Sequence, residues 1–183
     1  IGALTTIYDV ETSPAVRRGW PILAEATHQV ANIRIRNLAT LGGNLSHADY
    51  QSDPPAVLTA LQASVRALGP SGERTIPLRD LYVGLYETAL APDEVVSEVE
   101  VPELPAGMVG SYIRFTTRSA EDRPAANIAA LLALENGRCR ELRLVVGAVS
   151  AVPCRVAAAE EKARGEPITP ALLEEIGGLA SEA

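Results

Sequence analysis

The sequence predicts an α+β fold in two pieces. Three observations carry that expectation. Strand-like and helix-like segments succeed one another without the regular β-α-β alternation that builds a parallel sheet. A long antiparallel hairpin then turns on Asn136-Gly137, the pair favoured in a type I′ turn, and helical segments follow it. Between the halves, "PELPAGMVG" gathers proline and glycine and marks a boundary, dividing the chain into 1–103 and 104–183.

The elements follow in order. "IGALTTIYDV" is β-branched and turn-bounded, which predicts a strand. Ser13 before Pro14 is an N-cap with proline in the first turn, so a helix runs through "AVRR" and stops before Pro21. A second helix runs from Pro21 to about Gln29. "IRIRNLA" alternates apolar and basic residues, as a half-buried strand does. "DPPAVLTALQA" repeats the capping device, with Asp53 as N-cap and Pro54 behind it. "SVRALGPSGERTIPL" predicts two strands on a Gly-Pro-Ser-Gly turn, "RDLYVGLYETAL" a short helix and a loop, and "EVVSEVEV" a strand ending at Pro102. "SYIRFTTR" is a strand, and the tail after the hairpin holds two helices, the later one opened by Thr169 and Pro170.

Composition limits the function. Hydrophobic residues make up 47% of the 183, enough to bury a core, while a net charge of −7 argues against a general nucleic-acid binder. Cys139 and Cys154 are the only cysteines, too few to build a zinc site or an iron–sulfur cluster, and they suit a reducing cytoplasm. No apolar run is long enough to span a bilayer. No nucleophile–base pair or carboxylate cluster asks for acid–base catalysis, and no metal site is expected.

The informative stretch is "RNLATLGGNLSHADYQSDPP". Gly42 and Gly43 lack β-carbons, so their amides can converge on an anion, with Thr40 and Asn44 adding a hydroxyl and an amide. A pyrophosphate would suit such a loop, although on chemistry alone a bare Gly-Gly pair is far more often a turn. The third glycine of a dinucleotide fingerprint and the Lys-Ser/Thr pair of a phosphate loop are missing. His47, Tyr50 and Tyr86 could flank a ligand or simply be ordinary surface and half-buried residues, and His28 is read as structural.

This stretch resembles the second flavin-binding segment of the FAD subunits of molybdenum hydroxylases, the family of carbon monoxide dehydrogenase medium subunits and xanthine dehydrogenase flavin domains. "IGALTT", "LYETALAPDEVVSEVEVP" and "SYIRFTTRSAEDRPAANIAALLAL" resemble further segments of that family, in order along most of the chain. The resemblance implies the second half of a vanillyl-alcohol-oxidase-like FAD-binding domain, followed by a small C-terminal domain of antiparallel strands and helices. It implies an electron-transfer flavoprotein that works with an iron–sulfur subunit and a molybdopterin-binding large subunit. By position, it places Thr40, Gly42, Gly43 and Asn44 near the FAD pyrophosphate and ribityl chain. It implies that Asp53 accepts from cofactor hydroxyls, that Val96 lies beside the flavin, and that Arg114, where relatives carry a lysine near the cofactor, is a further cofactor-binding candidate. The family's earlier Ala-Gly-Gly loop does not occur before Ile1, which implies a chain lacking the first flavin-binding half and part of the C-terminal domain. Two other readings are a flavin oxidoreductase of the same wider fold acting alone, and an assembly module that has lost flavin.

Overall fold

The structure, a computed structural model, describes residues Ile1–Glu182. Short helices fill its first third: α1 (Ile7–Thr12), α2 (Pro14–Gly19), α3 (Pro21–His28), α4 (Ile33–Arg36), α5 (Leu41–His47) and α6 (Pro54–Ala60). The cap foreseen at Ser13 holds, its Oγ accepting from the Val16 amide, and the second helix begins at Pro21 as expected. The opening strand does not form. Gly2 and Thr6 make isolated bridges to Glu98 and Thr40, and the chain then turns into α1. Thr6 Oγ1 accepts the Asp9 amide at 3.0 Å, and Ile7 and Val10, three apart, are buried together. A local cap and a helical apolar spacing outweigh β-branched composition here.

"IRIRNLA" is likewise a helical turn and not a strand. Asn32 Oδ1 accepts from the amides of Arg34 and Ile35, which fixes α4. The expected burial is also inverted: Ile33 and Ile35 are exposed while Arg36 is buried, held by the buried Glu11.

The sheets follow the predicted order. β1 (Ser64–Gly69) pairs antiparallel with β2 (Gly72–Pro77) and, on its other edge, with a strand met later. Next come α7 (Leu78–Leu81), then β3 (Tyr82–Gly84) and β4 (Glu87–Thr88), which form a small ribbon in the predicted loop. β5 (Val95–Glu100) is the strand that completes the first sheet, in the order β2-β1-β5. After the linker, β6 (Met108–Phe115), β7 (Ala126–Glu135), β8 (Arg138–Gly147) and β9 (Cys154–Arg155) make an antiparallel sheet in sequence order. The β7–β8 turn has φ of 51° at Asn136 and 77° at Gly137, the left-handed pair that Asn-Gly favours. α8 (Ala157–Ala163) and α9 (Pro170–Ser181) close the chain, and Thr169 Oγ1 caps α9.

The larger core joins the helices to both sheets. Ile7, Leu23, Leu41 and Leu58 pack with Val65 and Val99 of the first sheet and with Tyr112, Leu131 and Val145 of the second. β8 buries both its faces: Val145 lies in this core, whereas Leu144 and Val146 meet Ala159, Leu172 and Ile176 of α8 and α9. The second sheet therefore carries residues of β6 inward, against α3 and the residue that opens α6.

Candidate cofactor site

The glycine pair is the first turn of α5, where a loop without a following helix was expected. Thr40 is the N-cap, and its Oγ1 accepts the Gly43 amide at 3.1 Å. Each early amide has a partner inside the chain: Leu41 N–H donates to Thr5 O, Gly42 N–H to Ala3 O, and Asn44 N–H to Thr40 O. The pair is thus no open amide nest. What remains for a ligand is side-chain chemistry around a bare patch of backbone. Gly43 is exposed, Thr40 and Asn44 are half-buried, and the Thr40 hydroxyl hydrogen stays free to donate because its oxygen serves as acceptor. Asn44 Oδ1 accepts Ser52 Oγ at 2.9 Å, which orients its Nδ2 group as a donor.

That Ser52 contact ties the turn to Asp53, the next residue. Asp53 is 4% exposed and does not cap its helix. The reason is local: Pro55 removes the amide at the second helical position, and the Asp53 backbone is already helical, with φ of −78° and ψ of −47°, where a capping residue is extended. The carboxylate turns to β6 instead, where Tyr112 Oη donates to Oδ1 at 2.5 Å and Arg114 Nη1 lies 3.3 Å from Oδ2. Burial pushes the Asp53 carboxyl up to about 6, although the Tyr112 hydrogen bond and the Arg114 charge pull it down. The Tyr112 phenol is pushed up as well, first by burial and then by the carboxylate beside it.

Arg114 is buried, and its guanidinium also donates to the carbonyls of Gln29 and Asp122. Its contacts are therefore with protein: it pins the end of α3, the start of α6 and the 116–125 loop to one strand. Beside it opens a cavity of about 520 Å³, walled by His28, Asn32, Arg36, Arg114 and Glu121 among others. His28 Nδ1 meets Glu11 Oε1 at 2.7 Å, and Arg36 Nε donates to Glu11 Oε2 at 2.8 Å, so His28 and Arg36 form a wall braced by one buried carboxylate. Arg114 is the one expected cofactor contact that lines this cavity; Thr40, Gly42, Gly43, Asn44 and Asp53 do not, and neither does Val96. It is half-buried on β5, next to Ser97, whose carbonyl accepts from Ala3, the residue that in turn accepts from Gly42.

The structure thus brings Asn44, Asp53 and Arg114 into one connected set, with Val96 near the glycine turn. His47, the last residue of α5, meets Tyr86 as a tilted ring pair with centroids 5.3 Å apart, a surface contact. Sequence reasoning missed Tyr112, Glu11 and Arg36. The signal for Tyr112 was present: two residues before Arg114 on a strand, it had to share that residue's face. Glu11 and Arg36 lie 25 positions apart with no pattern linking them. Among the described residues no cluster of His, Cys, Asp or Glu could hold a metal ion, and no helix is long and apolar enough to cross a membrane.

Residues 1–104 match the family described as the FAD binding domain in molybdopterin dehydrogenase, and residues 111–183 match the CO dehydrogenase flavoprotein C-terminal domain. The chain belongs to the FAD-binding family of the molybdopterin dehydrogenases. It is 37% identical to the nicotine 6-hydroxylase medium subunit of Paenarthrobacter nicotinovorans over 182 residues, all of this chain and 62% of that protein. It is 30% identical to the carbon monoxide dehydrogenase medium chain of Hydrogenophaga pseudoflava, over 92% of this chain and 58% of the relative. The solved carbon monoxide dehydrogenase of Hydrogenophaga pseudoflava superposes with a TM-score of 0.95 at 32% identity, covering 98% of this chain and 62% of that one. Quinoline 2-oxidoreductase of Pseudomonas putida 86 gives 0.94 at 31%, covering 100% and 63%. The family's fold, an α+β FAD-binding domain with a small C-terminal domain, is the fold seen here. The chain spans about three fifths of the length of these relatives.

The residues present fit a flavin dinucleotide in kind. A pyrophosphate needs donors, which Thr40 and Asn44 offer beside a glycine that leaves the backbone uncovered. Sugar and ribityl hydroxyls need an acceptor, which Asp53 offers. A carboxylate repels phosphate, so Asp53 belongs with the hydroxyls and not with the pyrophosphate.

Proposed function

We propose that the protein is the FAD-binding electron-transfer subunit of a molybdenum-containing hydroxylase or dehydrogenase. In that role it passes electrons between the clusters of an iron–sulfur subunit and an external acceptor. A molybdopterin-binding large subunit is the third member of the assembly. The observation that carries the reading is the connected set Asn44–Ser52–Asp53–Arg114, within a chain that matches this family nearly end to end.

FAD, when bound, supplies a ring system able to take up and release electrons singly or in pairs. The chain's own residues hold and shield it. The Thr40 hydroxyl and Asn44 Nδ2 donate to phosphate oxygens, and Gly43 lets them approach without a side chain in the way. Asp53 accepts from hydroxyls along the cofactor's chain, and Val96 offers an aliphatic surface. Arg114 fixes Asp53 and the 116–125 loop, so the cavity beside it keeps its walls. Cys139 and Cys154 are free, which suits a cytoplasmic protein whose clusters sit on another chain.

The test is the full-length subunit purified with its companion chains. The expected result is stoichiometric, acid-releasable FAD on this subunit, with iron and molybdenum on the others. A full-length protein that is colourless and takes up no added FAD sinks the reading.

A further inference from the structure

β6 presents Tyr112 and Arg114 on one face, two residues apart, and both reach the same carboxylate on the neighbouring element. Their contributions differ. Tyr112 is 2% exposed and gives Asp53 Oδ1 its hydroxyl hydrogen at 2.5 Å. Arg114 spreads its fork over the Gln29 and Asp122 carbonyls and meets Asp53 Oδ2 only at 3.3 Å. A carboxylate oxygen has room for more than one donor, so Oδ2 retains acceptor capacity while Oδ1 is fixed. The helix that Asp53 precedes does not orient it: no helix amide bonds its side chain, and Pro54 and Pro55 offer none. The Asp53 rotamer is therefore set across the fold, by β6.

We propose that Tyr112 is the positioning residue for Asp53, clamping Oδ1 so that Oδ2 faces the hydroxyls of the FAD ribityl chain or ribose. This rests on the reading of Asp53 as a cofactor contact. The charged groups around it are few. Tyr112 and Arg114 face Asp53 from β6, Glu25 of α3 accepts the Tyr112 amide at 3.2 Å, and Asp122 holds Arg114 through its carbonyl. Of these, the Tyr112 hydrogen bond and the Arg114 charge favour the ionised carboxyl against burial. Removing the phenol hydroxyl frees the rotamer and also pushes the carboxyl further up.

The experiment uses the full-length subunit with FAD as the probe, and compares Tyr112→Phe, Asp53→Asn and the double variant. Affinity is followed by flavin fluorescence from pH 5 to 8, and the apo-proteins are melted in parallel. Tyr112→Phe is expected to weaken FAD binding about tenfold at neutral pH, because the freed carboxylate must be ordered again when the cofactor binds. It is also expected to move the pH midpoint of binding upward. In the Asp53→Asn background it should cost much less, because the amide oxygen can still accept from the phenol but the bond is no longer charge-assisted. A lower melting temperature with unchanged affinity and unchanged pH midpoint would make Tyr112 a packing residue only and overturn the proposal. If Asp53→Asn weakens binding and Tyr112→Phe does not, the Tyr112 assignment fails while the Asp53 contact stands. If neither variant changes affinity, the Asp53 contact itself is wrong and the proposal falls with it.

Discussion

Gly42 lies so close to Ala3 that a Cβ on it would come within 2.5 Å of the Ala3 Cβ, and its amide donates to the Ala3 carbonyl at 2.8 Å. The glycine is there to let two backbones meet. Ala3 in turn hydrogen-bonds to Ser97, so the contact seats α5 against β5. Gly42→Ala is therefore a stability variant. In the full-length subunit it should lower unfolding free energy by about 1–3 kcal/mol, the usual cost of forced overpacking. Urea denaturation measures this, and an unchanged midpoint would show that the Ala3 segment moves aside freely.

Gly43 should behave in the opposite way. A Cβ there meets only the Thr40 Oγ1, at 2.8 Å, and a threonine hydroxyl can rotate away. The cost to the fold is then the loss of one cap, on the order of 1 kcal/mol. The cost to binding is larger, because the side chain would cover the bare backbone between the Thr40 and Asn44 donors. Gly43→Val in the full-length subunit is expected to raise the FAD dissociation constant by tenfold or more with a melting curve close to native. Unaltered affinity in a folded variant would make the glycine pair a structural turn and nothing else.

The fold was legible in the sequence wherever the signal was local. Ser13-Pro14, Thr169-Pro170 and Asn136-Gly137 each act within a few residues, and each sits where its chemistry predicts. The failures share one cause. "IGALTTIYDV" and "IRIRNLA" have strand-like composition, yet Thr6 and Asn32 cap helical turns within them. Arg36 then inverts the burial expected of "IRIRNLA", because its partner Glu11 lies in a distant helix. At the site, the sequence put Thr40, Asn44 and Asp53 forward as polar groups in one short stretch, and the Asn44–Ser52 bond joins the last two. It misassigned the amides and the Asp53 cap, since neither the bridge to Ala3 nor the pull of Tyr112 is written in nearby residues.

Glu11 provides a test of the cavity wall. It is 7% exposed and bonded to both Arg36 and His28, and the carboxyl is held below its ordinary range. Burial works against that and is outweighed by the bonds and charges of His28 and Arg36. Glu11→Gln leaves the buried Arg36 without its counter-charge and should destabilise the protein by about 3 kcal/mol. The sign with pH follows from the lowered carboxyl. The stabilisation is present above the ordinary carboxylate range and is lost as acid protonates Glu11, so the gap between wild type and variant should close on acidification. Denaturation midpoints at neutral and acidic pH give the answer, and a gap that stays constant would mean the charge is irrelevant.

Asp53 should show the reverse dependence. Burial raises its carboxyl from 3.8 to about 6 in the folded protein, whereas the unfolded chain ionises near the ordinary value. Between those limits the native state holds a proton that the unfolded state has released. The neutral form therefore favours folding below about 4, and that contribution is lost as pH rises through about 6. The two-unit difference corresponds to something on the order of 2–3 kcal/mol. Asp53→Asn cannot ionise, so the variant lacks this term at every pH. Relative to wild type, it should gain stability as pH increases from 4 to 7 and then level off, whatever constant offset the altered Arg114 and Tyr112 contacts introduce. Other groups titrate in the same window, but they are common to both proteins and cancel in the difference. Urea midpoints of apo wild type and Asp53→Asn at several pH values measure that difference directly. A flat difference, or one that runs the other way, would mean that Tyr112 and Arg114 outweigh burial and keep Asp53 ionised throughout.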